Sequence, residues 1–99
     1  MTIKEIREGG ALNLALEGRL DSNTVTQLQE YTADLNGVTD MIIDMDKLDY
    51  VSSAGLRVIL KAQKVMQKQG SLKLTNVNSV IMEVLELTGF TDILTIETK

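Results

Sequence analysis

Met41-Ile42-Ile43-Asp44-Met45, followed by Asp46-Lys47-Leu48-Asp49-Tyr50-Val51-Ser52-Ser53-Ala54-Gly55-Leu56-Arg57, is the stretch that decides the fold. Its first five residues are apolar except for Asp44, the pattern of a strand buried on both faces, with parallel neighbours, at the centre of a sheet. From Leu56 to Gln69 the residues favour a helix. A strand therefore hands the chain to a helix, and Ser52 and Ser53 stand at the hand-over. The first turn of a helix carries backbone N–H groups without partners and the positive end of the helix dipole. A phosphate can be held there without lysine or metal. A serine at that point is suited to capping the helix, to accepting a phosphate, or to both.

Upstream, residues 2–7 and 11–17 read as two strands joined by Gly9-Gly10, a hairpin turn signal. Leu12, Leu14 and Leu16 alternate with Asn13, Ala15 and Glu17, the period of a half-buried strand. Gly18-Arg19-Leu20-Asp21-Ser22 turns the chain, with Asp21 or Ser22 placed to cap a first helix over about 23–36. Val25, Leu28, Thr32 and Leu35 share one face of that helix, and Asn36-Gly37 ends it. Downstream, a second helix spans about 54–69 and stops at Gly70. Leu72 and Leu74 mark a strand. Asn78 or Ser79 caps a third helix over about 79–88, and Ile93, Leu94 and Ile96 form a last short strand. The order β-β-α-β-α-β-α-β predicts a single α/β domain over 1–99. Its mixed sheet has about five strands, mostly parallel, and opens with an antiparallel hairpin. Sites in such sheets form at the carboxyl ends of strands, beside helix N-termini, which is where Ser52 and Ser53 fall.

Composition narrows the function. The chain has no Cys, which excludes disulfides and thiolate chemistry, and no His, which removes the commonest general base and metal ligand. Ser53 as a hydrolytic nucleophile therefore lacks its usual base, and the surrounding sequence is not Gly-x-Ser-x-Gly. A pairing with Lys47 or Lys61 is the catalytic arrangement left formally open, and no enzyme activity is expected. A net charge of −4 and three aromatic residues oppose nucleic-acid binding. No apolar run is long enough for a membrane span or a leader, so a cytoplasmic protein without membrane insertion is expected. Asp44, Asp46 and Asp49 could suggest an Mg²⁺ site, but such sites use more convergent oxygens and a bound phosphate, and no metal is expected. No Gly-rich phosphate loop is visible, and no cofactor is expected. On the second helix Arg57, Lys61, Lys64 and Lys68 fall within about 60° of one another. They form a basic stripe that suits either solvent or an acidic partner.

Four segments together carry a family resemblance. They are Leu16-Glu17-Gly18-Arg19-Leu20-Asp21, Ile43 to Val51, Ser52-Ser53-Ala54-Gly55-Leu56, and Leu85-Glu86-Leu87-Thr88-Gly89-Phe90. In that order they resemble a STAS domain of the bacterial anti-sigma-factor antagonist type. The resemblance implies a binding protein gated by phosphorylation. The unmodified domain binds an anti-sigma factor, often a serine kinase with a GHKL-type ATP fold, and a sigma factor is freed. The kinase phosphorylates a serine at the start of the second helix, and a PP2C-type phosphatase reverses the mark. Register on Gly55-Leu56 places the phosphoacceptor at Ser53. The residue before it is usually Asp and is Ser52 here. The implied partner surface comprises Asp21, Ser22, Ser52, Ser53, Ala54, Gly55, Arg57 and Lys61. Some STAS-like domains act instead as phosphorylation-independent scaffolds, in stress-signalling assemblies or as a subunit of a lipid transporter. Read without the family, Ser53 is a helix cap whose Oγ accepts from Gly55 or Leu56 N–H, worth about 1 kcal/mol. Gly55 is then a point of close helix–sheet packing.

Overall fold

The computed structural model describes residues 1–99. Strand β1 (Thr2–Glu8) turns through Gly9-Gly10 into β2 (Ala11–Leu20), and helix α1 (Val25–Thr32) leads to β3 (Asp40–Val51). Then come α2 (Ser53–Met66), β4 (Ser71–Val77), α3 (Ser79–Leu87), a short 3₁₀ turn (Phe90–Asp92) and β5 (Thr95–Thr98). The five strands lie in chain order in one sheet, β1 antiparallel to β2 and the other pairs parallel. The predicted order of elements and the mixed sheet are both observed.

Each parallel strand is added on the same side of its predecessor, so right-handed crossovers carry all three helices to one face. That face is lined by Leu12, Leu14 and Leu16 of β2, Met41, Ile43 and Met45 of β3, and Leu72 and Leu74 of β4. With Leu28, Leu56, Ile59, Ala62, Met66, Ile81 and Leu85 from the helices, they belong to one cluster of 23 buried hydrophobic residues. No polar side chain is buried with them. Burial of this apolar surface, at about 25 cal/mol per Å², is the main force holding the layers together.

Four expectations are corrected. Strand β3 is covered on one face, not two: Ile42 and Asp44 are half-exposed on the opposite side, which no helix crosses. Strand β3 also runs on to Val51, and extra residues opposite Leu16 and between Gly18 and Arg19 shift its register against β2. These bulges change the spacing of inward residues from two to three, at Met45, Leu48 and Val51, so the alternation that signals a strand is absent there. Helix α1 ends at Thr32 rather than 36. Asp34 Oδ1 accepts from the N–H of Asn36 at 3.0 Å, and Gly37 adopts a positive φ of 81°. Leu35 reaches the core from this loop. The last strand starts at Thr95, because Ile93 and Leu94 donate to Phe90 O and complete a turn instead.

At the far end of α2, Gln69 Nε2 donates to Leu35 O at 2.6 Å and Val38 O at 2.7 Å, tying the helix exit to the loop before β3. Gly70 follows, where a Cβ would overlap the carbonyl of Thr39, a backbone group with no freedom to move aside. Gly70→Ala is expected to cost about 3 kcal/mol, the upper range for overpacking. It should appear in urea titrations as a lower midpoint at an unchanged slope.

Candidate functional site

The site is built where two strands end side by side. Leu20, the last residue of β2, pairs with Val51, the last of β3, and the Ser52 N–H donates to Leu20 O at 2.8 Å. The chain then turns sharply into α2. Gly55, in the first turn, lies against this junction, and a Cβ there would stand 2.6 Å from Leu20 Cγ and 3.2 Å from Val51 Cγ2. The close packing expected of Gly55 is observed: only a residue without a side chain lets α2 start this near the sheet.

The cap is Ser52, not Ser53. Ser52 has extended backbone (φ −96°, ψ 172°), its Oγ accepts from the N–H of Gly55 at 3.4 Å, and its carbonyl accepts from the N–H of Leu56 at 3.0 Å. Ser53 is instead the first residue of α2 and is exposed. Capping therefore falls to Ser52, and the Ser53 side chain is left exposed. Serine and aspartate both cap well, so the capping bond survives either residue at position 52. Ser52→Ala should cost about 0.5–1 kcal/mol, at the low end for a lost cap because the bond is long, whereas Ser52→Asp should keep parental stability. Equilibrium unfolding of the two variants checks this.

The neighbouring corner is organised by Asp21. Its Oδ1 accepts from the N–H groups of Asn23 (2.9 Å) and Thr24 (3.2 Å), while the Asp21 N–H donates to Thr24 Oγ1 (2.9 Å). The Thr24 hydroxyl in turn donates to Arg19 O at 2.7 Å. Asp21 therefore organises the turn before α1 rather than capping the helix: the N-cap position, expected at Asp21 or Ser22, falls to Thr24, whose side chain makes no capping bond, and Ser22 is exposed. The N–H of Asn23, then those of Thr24 and its hydroxyl, and the Arg19 guanidinium at 3.7 Å stabilise the carboxylate and hold its pKa below the ordinary value, against a smaller opposing effect of desolvation. A lowered carboxyl pKa stabilises the fold above the unfolded-state pKa, and that contribution is lost as pH falls through the folded-state value. The stability gap between the parent and Asp21→Asn should therefore be constant above about pH 5 and close below about pH 4, measured by urea unfolding across pH.

One feature of this edge is not visible in the sequence. Arg19 stacks over the ring of Tyr50, 4.4 Å from its centroid. The two are paired across β2 and β3 only because of the bulge beside Gly18, so no sequence spacing announces them. Of the remaining expected residues, Ala54 is half-buried and Arg57 and Lys61 are exposed. With Val25, Gln29 and Val58 these three line a shallow groove between α1 and α2. Lys64 is exposed further along α2, and Lys68 lies in the turn beyond its end. Asp44, Asp46 and Asp49 do not converge. Asp44 accepts from Asn76 Nδ2 at 2.9 Å, Asp46 pairs with Lys99 Nζ at 2.9 Å, and Asp49 is exposed on β3.

A family model described as the STAS domain matches residues 3–99, nearly the whole chain. The chain belongs to the STAS domain family. Over 87 residues this STAS domain is 39% identical to a candidate anti-sigma factor antagonist, BtrV, of Bordetella bronchiseptica, covering 85% of this chain and 75% of that one. It is 30% identical over 90 residues to the anti-sigma-B factor antagonist of Bacillus subtilis, covering 89% and 83%. In fold it is similar to the anti-sigma factor antagonist SpoIIAA in its unphosphorylated form, with a TM-score of 0.83, 18% identity, and 99% and 90% of the two chains covered. The phosphorylated form of the Bacillus SpoIIAA gives a TM-score of 0.76, with 99% and 93% covered. At that identity the likeness is one of fold.

Proposed function

We propose that this STAS domain is an anti-sigma factor antagonist switched by phosphorylation of Ser53. In the unmodified state the edge formed by Asp21, Ser22, Ser52, Ser53, Ala54 and Gly55, continued along α2 by Arg57 and Lys61, binds an anti-sigma factor and frees a sigma factor. The anti-sigma factor is a serine kinase of the GHKL type. Ser53 Oγ takes the γ-phosphoryl group of ATP, ADP leaves, and the hydroxyl proton passes to a base of the kinase. A PP2C-type phosphatase hydrolyses the ester and restores the binding form. The reading places this work in the cytoplasm, with the chain as ligand and phosphate acceptor rather than as catalyst.

The observation that carries the reading is the division of labour at the start of α2. Ser52 makes the capping bond, and Ser53 stands exposed beside it. Phosphorylation therefore breaks no hydrogen bond that the fold needs. It adds about −1.5 to −2 charge at a helix end that stabilises anions, so its effect within the chain is small. Its effect between chains is large, because a dianion brought into an interface must be stripped of water. The names of the two sequence relatives support the choice of partner, and SpoIIAA, of similar fold, is known in both phosphorylation states.

The test has two arms. Incubation with the cognate anti-sigma kinase and ATP should give a single phosphate, mapped by mass spectrometry to Ser53. Ser53→Asp should weaken binding to the kinase about tenfold or more, a loss of about 1.4 kcal/mol or more, while Ser53→Ala keeps parental affinity. Equal affinity of all three forms, or binding with no phosphate on Ser53, would replace the switch with a constitutive scaffold.

A further inference from the structure

Arg57 lies four residues after Ser53 on α2. On a helix that separation is about 40° around the axis and about 6 Å along it, so the two occupy adjoining positions on one face. Helical side chains lean back toward the N-terminus, so the turn that Ser53 begins is within reach of an arginine at position 57. Both residues are exposed. No carboxylate is paired with Arg57: the ion pairs of the chain are Arg19–Asp21, Lys73–Glu97 and Lys99–Asp46. The first turn of α2 contains no acidic side chain that could engage it.

We infer that Arg57 is the internal counter-ion of phosphorylated Ser53. The inference rests on the reading of Ser53 as the phosphoacceptor and adds a second consequence to its modification. A phosphate at position i with arginine at i+4 has the anion on the N-terminal side, the orientation in which the pair and the helix dipole reinforce each other. The planar guanidinium can direct two N–H groups at the phosphate oxygens. Of the other charged groups near this edge, Asp21 is held by Asn23, Thr24 and Arg19, Arg19 is stacked on Tyr50, and Lys61 lines the same groove as Arg57 one turn further on. Phosphorylation thus places a dianion at the docking edge and also withdraws the cation of the basic stripe nearest to it.

The experiment uses the full chain with phosphoserine installed at position 53 by genetic encoding, followed by ³¹P NMR through the second ionisation of the phosphate, near pH 6. A neighbouring guanidinium favours the dianion and lowers that midpoint. Arg57→Gln should raise it by about 0.3 unit, Arg57→Lys should keep most of the parental value, and Lys61→Gln, a turn further on, should leave it unchanged. The difference between parent and Arg57→Gln should shrink in about 1 M salt. Coincident titrations of parent and Arg57→Gln, or an equal shift in Lys61→Gln, would overturn the inference. Because the phosphate is installed without a kinase, this result is independent of whether a kinase uses Ser53. Failure of that reading appears instead as unmodified Ser53 in the transfer assay.

Discussion

The approach of α2 to the ends of β2 and β3, without a side chain at Gly55, is the constraint on which the edge depends. Leu20 and Val51 fill the space where a Cβ would go, and the Ser52 N–H bonds to Leu20 O. The last residues of two strands, the cap and the first helical turn are thereby locked to one another. The exposed Ser53 hydroxyl follows from this packing. Buried Gly55, Leu56 and Val58 fix the rotation of α2, and the positions left facing outward in that turn are 53 and 57. A small shift of the helix would change which side chains the edge offers. The exposed hydroxyl is therefore placed by core packing rather than by a flexible loop.

The edge divides its charges into two kinds. Around Asp21 they are satisfied internally, by two backbone N–H groups, by Thr24 and by Arg19, which is itself stacked on Tyr50. Along α2 the cations have no partners within the chain. Satisfied charges hold a shape, and unsatisfied ones leave interaction free energy for a ligand. The corner that begins α1 thus has its charges paired, and the helix that follows the other corner carries cations without partners.

How much of this was legible in the sequence depends on whether local periodicity survives into the fold. Leu12, Leu14 and Leu16 alternate in sequence and in space, so β2 and its buried face could be read directly. The apolar spacing of α2 and the glycine at its exit were equally plain. The second half of β3 was not, because bulges put Met45, Leu48 and Val51 at intervals of three. The same irregularity hid the Arg19–Tyr50 stack. Leu35 looked helical because it lies three residues after Thr32, yet it enters the core from a loop. Two adjacent serines gave no local sign of which one caps. That choice is made by the bond from Ser52 N–H to Leu20 O, a contact between distant parts of the chain.

The cations of α2 have a consequence beyond contact. The molecule is acidic as a whole, with a net charge of −4, yet four of its ten basic residues lie along one helix and the turn that follows it. Such an object is an electric dipole. A negatively charged body approaching it would meet repulsion from the net charge and attraction along that ridge, which turns a collision before the surfaces touch. Such a stripe acts on orientation during an encounter more than on the strength of the complex that follows.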